Sequence, residues 1–227
     1  MTNVTAVIAT YREEYTIKAL VRALKYQGMR VIVVDDSDDT TPILAKQGGA
    51  DSVIIRKGER GIASAYNKGF VKALAEPGVE WIVQIDAGGT HDPRDLPNML
   101  THGRLGAGLV IGSRFMIDVP HLSRRTAISH GAAWLMRRLG VRVSDATSGY
   151  RVWSRDVLEA VLVSPIRAEG FAFQLELLYR AHRAGATIVE VAIPYRLTNS
   201  SFNWGMVWEA LRIYGGLWRD HILHRTA

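Results

Sequence analysis

The chain has 227 residues, long enough to bury one large core without covalent staples. It has no cysteine, which excludes disulfides and thiolate metal sites, so any metal must be held by oxygen or imidazole. Lys and Arg number 28 against 22 Asp and Glu, a net charge of +6 that favours anionic partners (nucleotide, lipid phosphate, membrane surface or nucleic acid) without choosing among them.

Val4–Thr10 is a short β-branched run closed by polar residues and reads as a buried strand. Residues 16–27 carry apolar side chains at helical spacing, with Lys and Arg between them. Residues 30–41 form a second strand ending in Asp35, Asp36, Asp38, Asp39 and hydroxyls. A short helix over 41–48 closes on Gly48 and Gly49; 51–56 is a third strand, 61–76 a helix and 80–86 a fourth strand. Strands and helices alternating at this pace make βαβ units and a mainly parallel sheet, whose ligands bind beyond the carboxyl ends of its strands. The polar clusters at 10–14, 35–41 and 86–92 all fall at such ends.

The second half is less regular. Residues 109–114 are a strand, followed by a basic segment and a helix around 126–139. Two helices over 154–163 and 172–185 precede a strand over 187–195, and the tail from Trp204 to Leu223 is an aromatic-rich helix. No repeat or linker divides the chain, so residues 1–203 read as one domain and 204–227 as a helical tail, packed on it or at an interface. No run reaches the ~20 apolar residues of a spanning helix. The start also lacks the basic and long apolar regions of a signal peptide, so the expectation is a cytoplasmic protein, peripheral at a membrane if it meets one.

Asp86 is the sharpest single residue. It ends a strand facing the expected cleft and is followed by Ala87, Gly88 and Gly89. Two carboxylates in an acid–x–acid pattern clamp Mg²⁺ or Mn²⁺ while nucleotide phosphates complete the octahedron. Here the second position is Gly88, leaving Thr90, His91 and Asp92 within reach as replacements, although Asp92 also suits a cap for a helix starting at Pro93. Asp36 can accept from a ribose or base, while Asp38 and Asp39 suit turn and cap chemistry. Arg60 and Gly61 precede a helix start, where free N–H groups suit a phosphate. Arg114, Arg125, Ser129 and Arg151 supply donors to phosphate oxygens, with Arg125 and Ser129 on one helix face.

In order along residues 4–203, these segments resemble family 2 glycosyltransferases, in the dolichol- or polyprenol-phosphate mannosyltransferase branch. AVIATYREEYTI resembles an I-P-T-Y-N-E opening with Ala9 and Arg12 substituted, and VVDDSDDTT a nucleotide-binding D-D-x-S-x-D-x-T. RGIASAYNKG, IGSR, DATSGYRVWSRDVL and GFAFQLELLYRA complete the series. The resemblance implies a GT-A (Rossmann-like) α/β fold, a nucleotide-diphosphate-sugar donor, a divalent cation (Mg²⁺ or Mn²⁺) and inverting transfer of a hexose to polyprenyl phosphate. It implies nucleotide binding by Thr10, Tyr11, Glu13, Asp36, Arg60 and Gly61, and metal binding by Asp86, with Thr90 or Asp92 as the second ligand. Catalytic roles fall to Asp86, Arg114, Arg125 and Asp145; Ser129, Ser148, Arg151, Gln174 and Glu176 would meet acceptor, diphosphate or sugar. The family pattern departs at D-A-G and again in YRLTNSSFN, where Phe202 takes the place of a lysine. The same donor chemistry on a hydroxyl acceptor (a modified nucleic-acid base, a protein or a small molecule) is the alternative, with Asp145 as general base. A nucleotide-sugar-binding protein without transferase activity is the other.

Overall fold

The computed structural model describes residues 3–116, 124–194 and 204–223; the side chains of Arg124 and Arg125 lie outside that set. Seven strands, β1 (Val4–Thr10), β2 (Arg30–Asp35), β3 (Ser52–Ile55), β4 (Trp81–Gln84), β5 (Leu109–Ser113), β6 (Arg151–Ser154) and β7 (Ile188–Ala192), form one sheet in the order β3-β2-β1-β4-β6-β5-β7. The pairs β1–β2, β1–β4, β2–β3 and β5–β7 are parallel, and β6 runs antiparallel to both β4 and β5. Among the described residues eight helices flank the sheet: α1 (Ile17–Tyr26), α2 (Thr41–Gly48), α3 (Ile62–Leu74), α4 (Leu96–Arg104), α5 (Arg124–Arg138), α6 (Arg155–Leu162), α7 (Phe173–Arg183) and α8 (Trp204–Leu223). The expected mainly parallel sheet is present, and the aromatic tail is a helix over the expected span.

The strands are apolar on both faces because both are covered. In β1, Ala6 and Ile8 enter a core with Ile17, Val21 and Leu24 of α1, while Val7 enters the opposite core with Tyr66 and Phe70 of α3. The α1 face consists of Ile17, Leu20, Val21 and Leu24, an i, i+3, i+4, i+7 set, and the chain leaves the helix through Gly28 at φ 75°.

One helix begins differently from the sequence reading, and one strand was absent from it. The helix start expected at Pro93 is a 3₁₀ turn, Pro93–Asp95, that leads into α4. β6 sets only Val152 and Trp153 between Arg151 and Ser154 and runs straight into α6, so it shows no apolar run of its own. Its reversal matters for the site. Pairing Arg151 with Gln84 and with Ile111 brings the start of β6 to the edge where β4 and β5 end. Residues 145–149 therefore meet the segments that follow β4 and β5, Gly149 at Asp86 and Asp145 at Arg114.

Leu24 is fully buried and remote from that edge. Leu24→Ala should cost about 2–5 kcal/mol in a denaturant titration, through lost transfer energy and the cavity left behind.

Candidate active site

Asp86 stands two residues beyond β4, and four elements fix it. The Tyr66 hydroxyl, fully buried on α3, donates to Oδ1 at 2.8 Å and to the Ile85 carbonyl at 3.1 Å. Burial raises the Tyr66 phenol well above its ordinary value, and the Asp86 charge raises it further, so Tyr66 remains a donor. The Asp86 N–H donates to His91 Nδ1 at 3.3 Å, and the His91 ring stacks on Tyr150 at 4.7 Å. The Tyr150 hydroxyl in turn donates to the Asp92 carbonyl at 2.8 Å. On the far side is Gly149, where a Cβ would lie 2.8 Å from Asp86 Oδ2. Only glycine leaves room there for the carboxylate.

The position two after Asp86 is equally specific. A Cβ on Gly88 would lie 3.3 Å from Glu13 Oε1, so the Glu13 carboxylate fronts the place where the family pattern puts its second acid. Burial raises the Glu13 carboxyl above its ordinary range; the Thr16 hydroxyl bond pulls it back and the Asp86 charge pushes it up again. The expected replacements fare less well. The Asp92 carboxylate caps the 3₁₀ turn by accepting from Arg94 N–H at 3.0 Å and pairs with the Arg94 guanidinium at 2.6 Å. His91 uses its Nδ1 lone pair on Asp86 N–H, and Thr90 is half-buried in the same loop. The capping account of Asp92 holds, and Glu13 is the acid that lies beside Gly88. Among the described residues no three acidic or imidazole side chains converge as a metal cage.

On the nucleotide side, Tyr11 is exposed, and two guanidinium groups lie over its ring, Arg12 at 5.3 Å and Arg60 at 5.6 Å. Arg12 sits at φ 57°, a left-handed conformation that an asparagine adopts more readily. It is held there by donating its N–H to Ser37 Oγ at 2.7 Å and its guanidinium to Asp38 at 2.8–2.9 Å. Thr10 is buried and donates to Asp35 Oδ1 at 2.7 Å, so it positions the β1 end rather than facing a ligand. Asp36 is bound at both oxygens by Arg56, whose Nε lies 2.6 Å from Oδ1. Arg56 also donates to Ser64 and to the Gly61 carbonyl, tying β2 to the start of α3. The helix start expected to hold phosphate is partly occupied, because Ala63 N–H donates to the Glu169 carbonyl.

In the second half the expected cations are largely internal. Arg114 donates to Asp145 Oδ2 through Nε and to Oδ1 through Nη2, both at 2.7 Å, and to Thr147 Oγ1 at 2.9 Å. The Asp145 side chain is fully buried and also accepts Arg114 N–H, so it clamps Arg114 instead of standing open as a base. Arg151 is fully buried and donates to the carbonyls of Ser148, Gln174 and Ala146 at 2.9 Å each. Burial lowers it to about 9, against the fields of Asp145 and Asp86 that hold it up, and it stays charged at neutral pH. It is a strut, not an acceptor ligand. Ser148 donates to the Gly112 carbonyl at 2.7 Å. Glu176, fully buried, accepts from Arg167 and Ala168 N–H and from Arg180 at 2.6 Å, which ties it to scaffold rather than to a sugar. Ser129 accepts from Thr147 at 3.0 Å and so joins the Arg114 network. Gln174 is buried with Oε1 partnerless among the described residues. Arg125 lies in the first turn of α5, its side chain outside the described set.

The strand ends thus gather Tyr11, Glu13, Asp86, Arg114 and Ser129. They turn Asp145, Ser148, Arg151 and Glu176 inward as supports. Sequence reasoning missed Arg56 and Tyr66. Arg56 stood at the end of the third strand without a motif, and Tyr66 was an ordinary apolar position on a helix. Residues 5–162 match the family model for glycosyl transferase family 2. The chain belongs to glycosyl transferase family 2. This glycosyltransferase is 34% identical over 224 residues to an undecaprenyl-phosphate mannosyltransferase of Micrococcus luteus, covering 92% of this chain and 91% of that one. It is 34% identical over 201 residues to a polyprenol monophosphomannose synthase of Mycolicibacterium smegmatis, covering 83% and 76%. Its fold is shared with glucosyl-3-phosphoglycerate synthase of Mycobacterium tuberculosis, solved with UDP (TM-score 0.72, 22% identity, 97% of this chain and 80% of that one). The GT-A architecture expected for the glycosyltransferase is the one observed.

Two outcomes test this geometry. Gly149→Ala should shift the Asp86 carboxylate and lower glycosyl transfer on the order of 100-fold, because a misplacement of about 1 Å is that costly; circular dichroism should show the fold retained. Asp145→Asn should fail as a mere activity variant. It leaves the Arg114 charge poorly matched and should destabilise the protein by about 3–5 kcal/mol in a urea titration.

Proposed function

We propose that this glycosyltransferase moves a hexose from a nucleoside-diphosphate sugar to polyprenyl phosphate, with inversion at the anomeric carbon, as a peripheral protein at the membrane surface. The observation that carries the reading is the 34% identity, along 92% of the chain, to an enzyme named for mannosyl transfer to undecaprenyl phosphate. Mannose is accordingly the hexose we expect. The engagement of Asp145 supports the same acceptor. A hydroxyl acceptor needs a general base, and both oxygens of Asp145 are taken by Arg114. A phosphate oxygen is already a nucleophile at neutral pH.

In the transfer, an acceptor phosphate oxygen bonds to the anomeric carbon as the bond from that carbon to the diphosphate oxygen breaks. The nucleoside diphosphate leaves with the electron pair. Tyr11, with Arg12 and Arg60 over its ring, offers a face and positive charge to the nucleotide. Arg114, oriented by Asp145 and Thr147, and Arg125 on α5 serve the phosphate oxygens, where bidentate geometry and preorganisation lower the barrier. Gln174 Oε1 accepts from a sugar hydroxyl.

The residues present fit a divalent cation. Asp86 and Glu13 are hard oxygen donors, near enough for the Asp86 charge to raise the Glu13 carboxyl. Either Mg²⁺ or Mn²⁺ bound there would neutralise charge on the departing diphosphate, with the rest of its shell left to diphosphate oxygens and water.

The function is tested with radiolabelled nucleoside-diphosphate hexoses, with and without Mg²⁺ or Mn²⁺, offered polyprenyl phosphate or duplex DNA carrying hydroxymethylated bases. Label is expected in the lipid. Label on the DNA, or donor binding without transfer to either acceptor, overturns the reading. The metal assignment has a separate check. Glu13→Gln should weaken Mn²⁺ binding in the presence of nucleoside diphosphate by about tenfold or more, read by electron paramagnetic resonance, the loss of roughly one charged contact. Asp92→Asn should leave it unchanged.

A further inference from the structure

α8 has two apolar faces. One is packed: Ile213 and Leu217 are buried in the core beneath α5 and α7. The other faces outward and carries Trp204 (73% exposed), Trp208 (72%), Leu211 (47%), Trp218 (39%) and Ile222 (46%). At about 100° per residue these five fall within an arc of about 80°, opposite Ile213 and Leu217, and run along about 27 Å of helix. A single exposed tryptophan needs no explanation, but a continuous stripe of three with two aliphatic residues does.

The charges on the same helix are sorted by side. Its two acids are held toward the domain. Glu209 accepts the N–H groups of Glu169 and Gly170, and Asp220 pairs with Arg167. Its two arginines, Arg212 and Arg219, are exposed and flank the stripe along one side. The aromatic and basic character continues onto α5, where Trp134 is half-exposed with the Arg138 guanidinium 4.4 Å above its ring. Arg138 is close enough for its charge to act on Tyr214 of α8. Two acids, Glu169 and Glu209, line the groove shared with Trp208 and Arg212, and Glu209 is engaged there by the Glu169 and Gly170 N–H groups.

We propose that the outer face of α8 is the surface by which this protein docks on an anionic lipid bilayer, with Trp204, Trp208 and Trp218 seated in the headgroup layer and Arg212 and Arg219 against lipid phosphates. Indole rings with an apolar body and one N–H donor suit that layer, and a helix lying in its plane presents this arrangement of aromatic stripe and basic flank. The charge sorting selects a bilayer over a second copy of the chain. An antiparallel pairing of two α8 faces would set arginine against arginine, and a parallel one would set each arginine against an α8 edge that carries no acid, whereas an anionic surface complements them. Docking also places the cleft. Glu209 holds the Glu169–Gly170 turn, whose Glu169 carbonyl accepts from Ala63 at the start of α3 beside Gly61, so the Trp204 end of α8 lies one turn of chain from the nucleotide side. This rests on the polyprenyl phosphate reading for its purpose, since that acceptor resides in a membrane, but not for its physical content.

The test separates the two. Vesicles of phosphatidylcholine, with and without phosphatidylglycerol and free of any polyprenyl lipid, are floated with the full chain and with a Trp204→Ser/Trp208→Ser/Trp218→Ser variant. The same proteins are assayed for transfer to a short, water-soluble polyprenyl phosphate and to a long-chain acceptor in vesicles. The wild-type protein should float with phosphatidylglycerol vesicles, with a blue shift of tryptophan fluorescence. The triple variant should lose about tenfold or more in partitioning and in vesicle-acceptor transfer, while keeping soluble-acceptor transfer and its circular dichroism spectrum. Arg212→Gln/Arg219→Gln should remove the preference for phosphatidylglycerol. Wild-type protein that does not float, or a triple variant that floats equally, overturns the docking proposal. So does self-association that the triple variant abolishes without any vesicle binding, which would assign the face to a second copy. Flotation lost on substitution, with neither acceptor used by the wild type, leaves docking supported and sinks the acceptor reading instead.

Discussion

The cleft is organised around one contact, the carboxylate of Asp86 against the bare Cα of Gly149. β4 delivers Asp86 to the edge of the sheet, and the antiparallel β6 brings Gly149 back to meet it. Any side chain at position 149 would displace the acid. Tyr66 from α3 and the His91–Tyr150 stack then close the remaining sides, so the one acid kept from the family's acid pair cannot wander. A rigid carboxylate is what a site with few charged ligands requires.

The basic residues divide into those that serve a ligand and those that hold the fold. Arg151 looked like an available cation in the linear reading, yet it, like Arg56 and Arg180, is spent on a carboxylate or on carbonyl oxygens of the scaffold. Taking such a charge out of water is costly unless every donor is met, and the short loops beyond the strands supply the acceptors. Arg114 is intermediate. Its orientation is fixed by Asp145 and Thr147, which preorganises the guanidinium before any phosphate arrives. The rim therefore carries Tyr11, Arg12 and Arg60 at one end and the Arg114 network at the other, with the carboxylates of Asp86 and Glu13 toward the nucleotide side. That distribution suits a diphosphate and a second phosphate in one cleft.

The same division by environment recurs in α8. Its acids face inward to partners and its arginines face outward, although nothing in their spacing marks the difference. Ile213 and Leu217 suffice to seat the helix, which leaves the indole rings on the opposite side. Among the described residues no helix is long and apolar enough to cross a membrane.

The alternation of β-branched runs with amphipathic segments determined the layered sheet, because burial on two faces leaves a continuous apolar strand that a sequence displays directly. The ordered motifs likewise determined the family, and Asp86 was placed by the apolar run that ends at it. Tertiary structure decided what spacing cannot encode. β6 was invisible because Val152 and Trp153, set between Arg151 and Ser154, make no apolar run, and Arg56 and Tyr66 act across 20 residues of chain. The fate of Asp145, Arg151 and Glu176 was likewise undecided in one dimension. A charged side chain near a motif becomes ligand or scaffold according to which buried donors and acceptors reach it first, and only the folded chain brings those within 3 Å. The approach of Glu13 to Gly88 is of the same kind, made across 75 positions (88 − 13) by two loops that share a sheet edge.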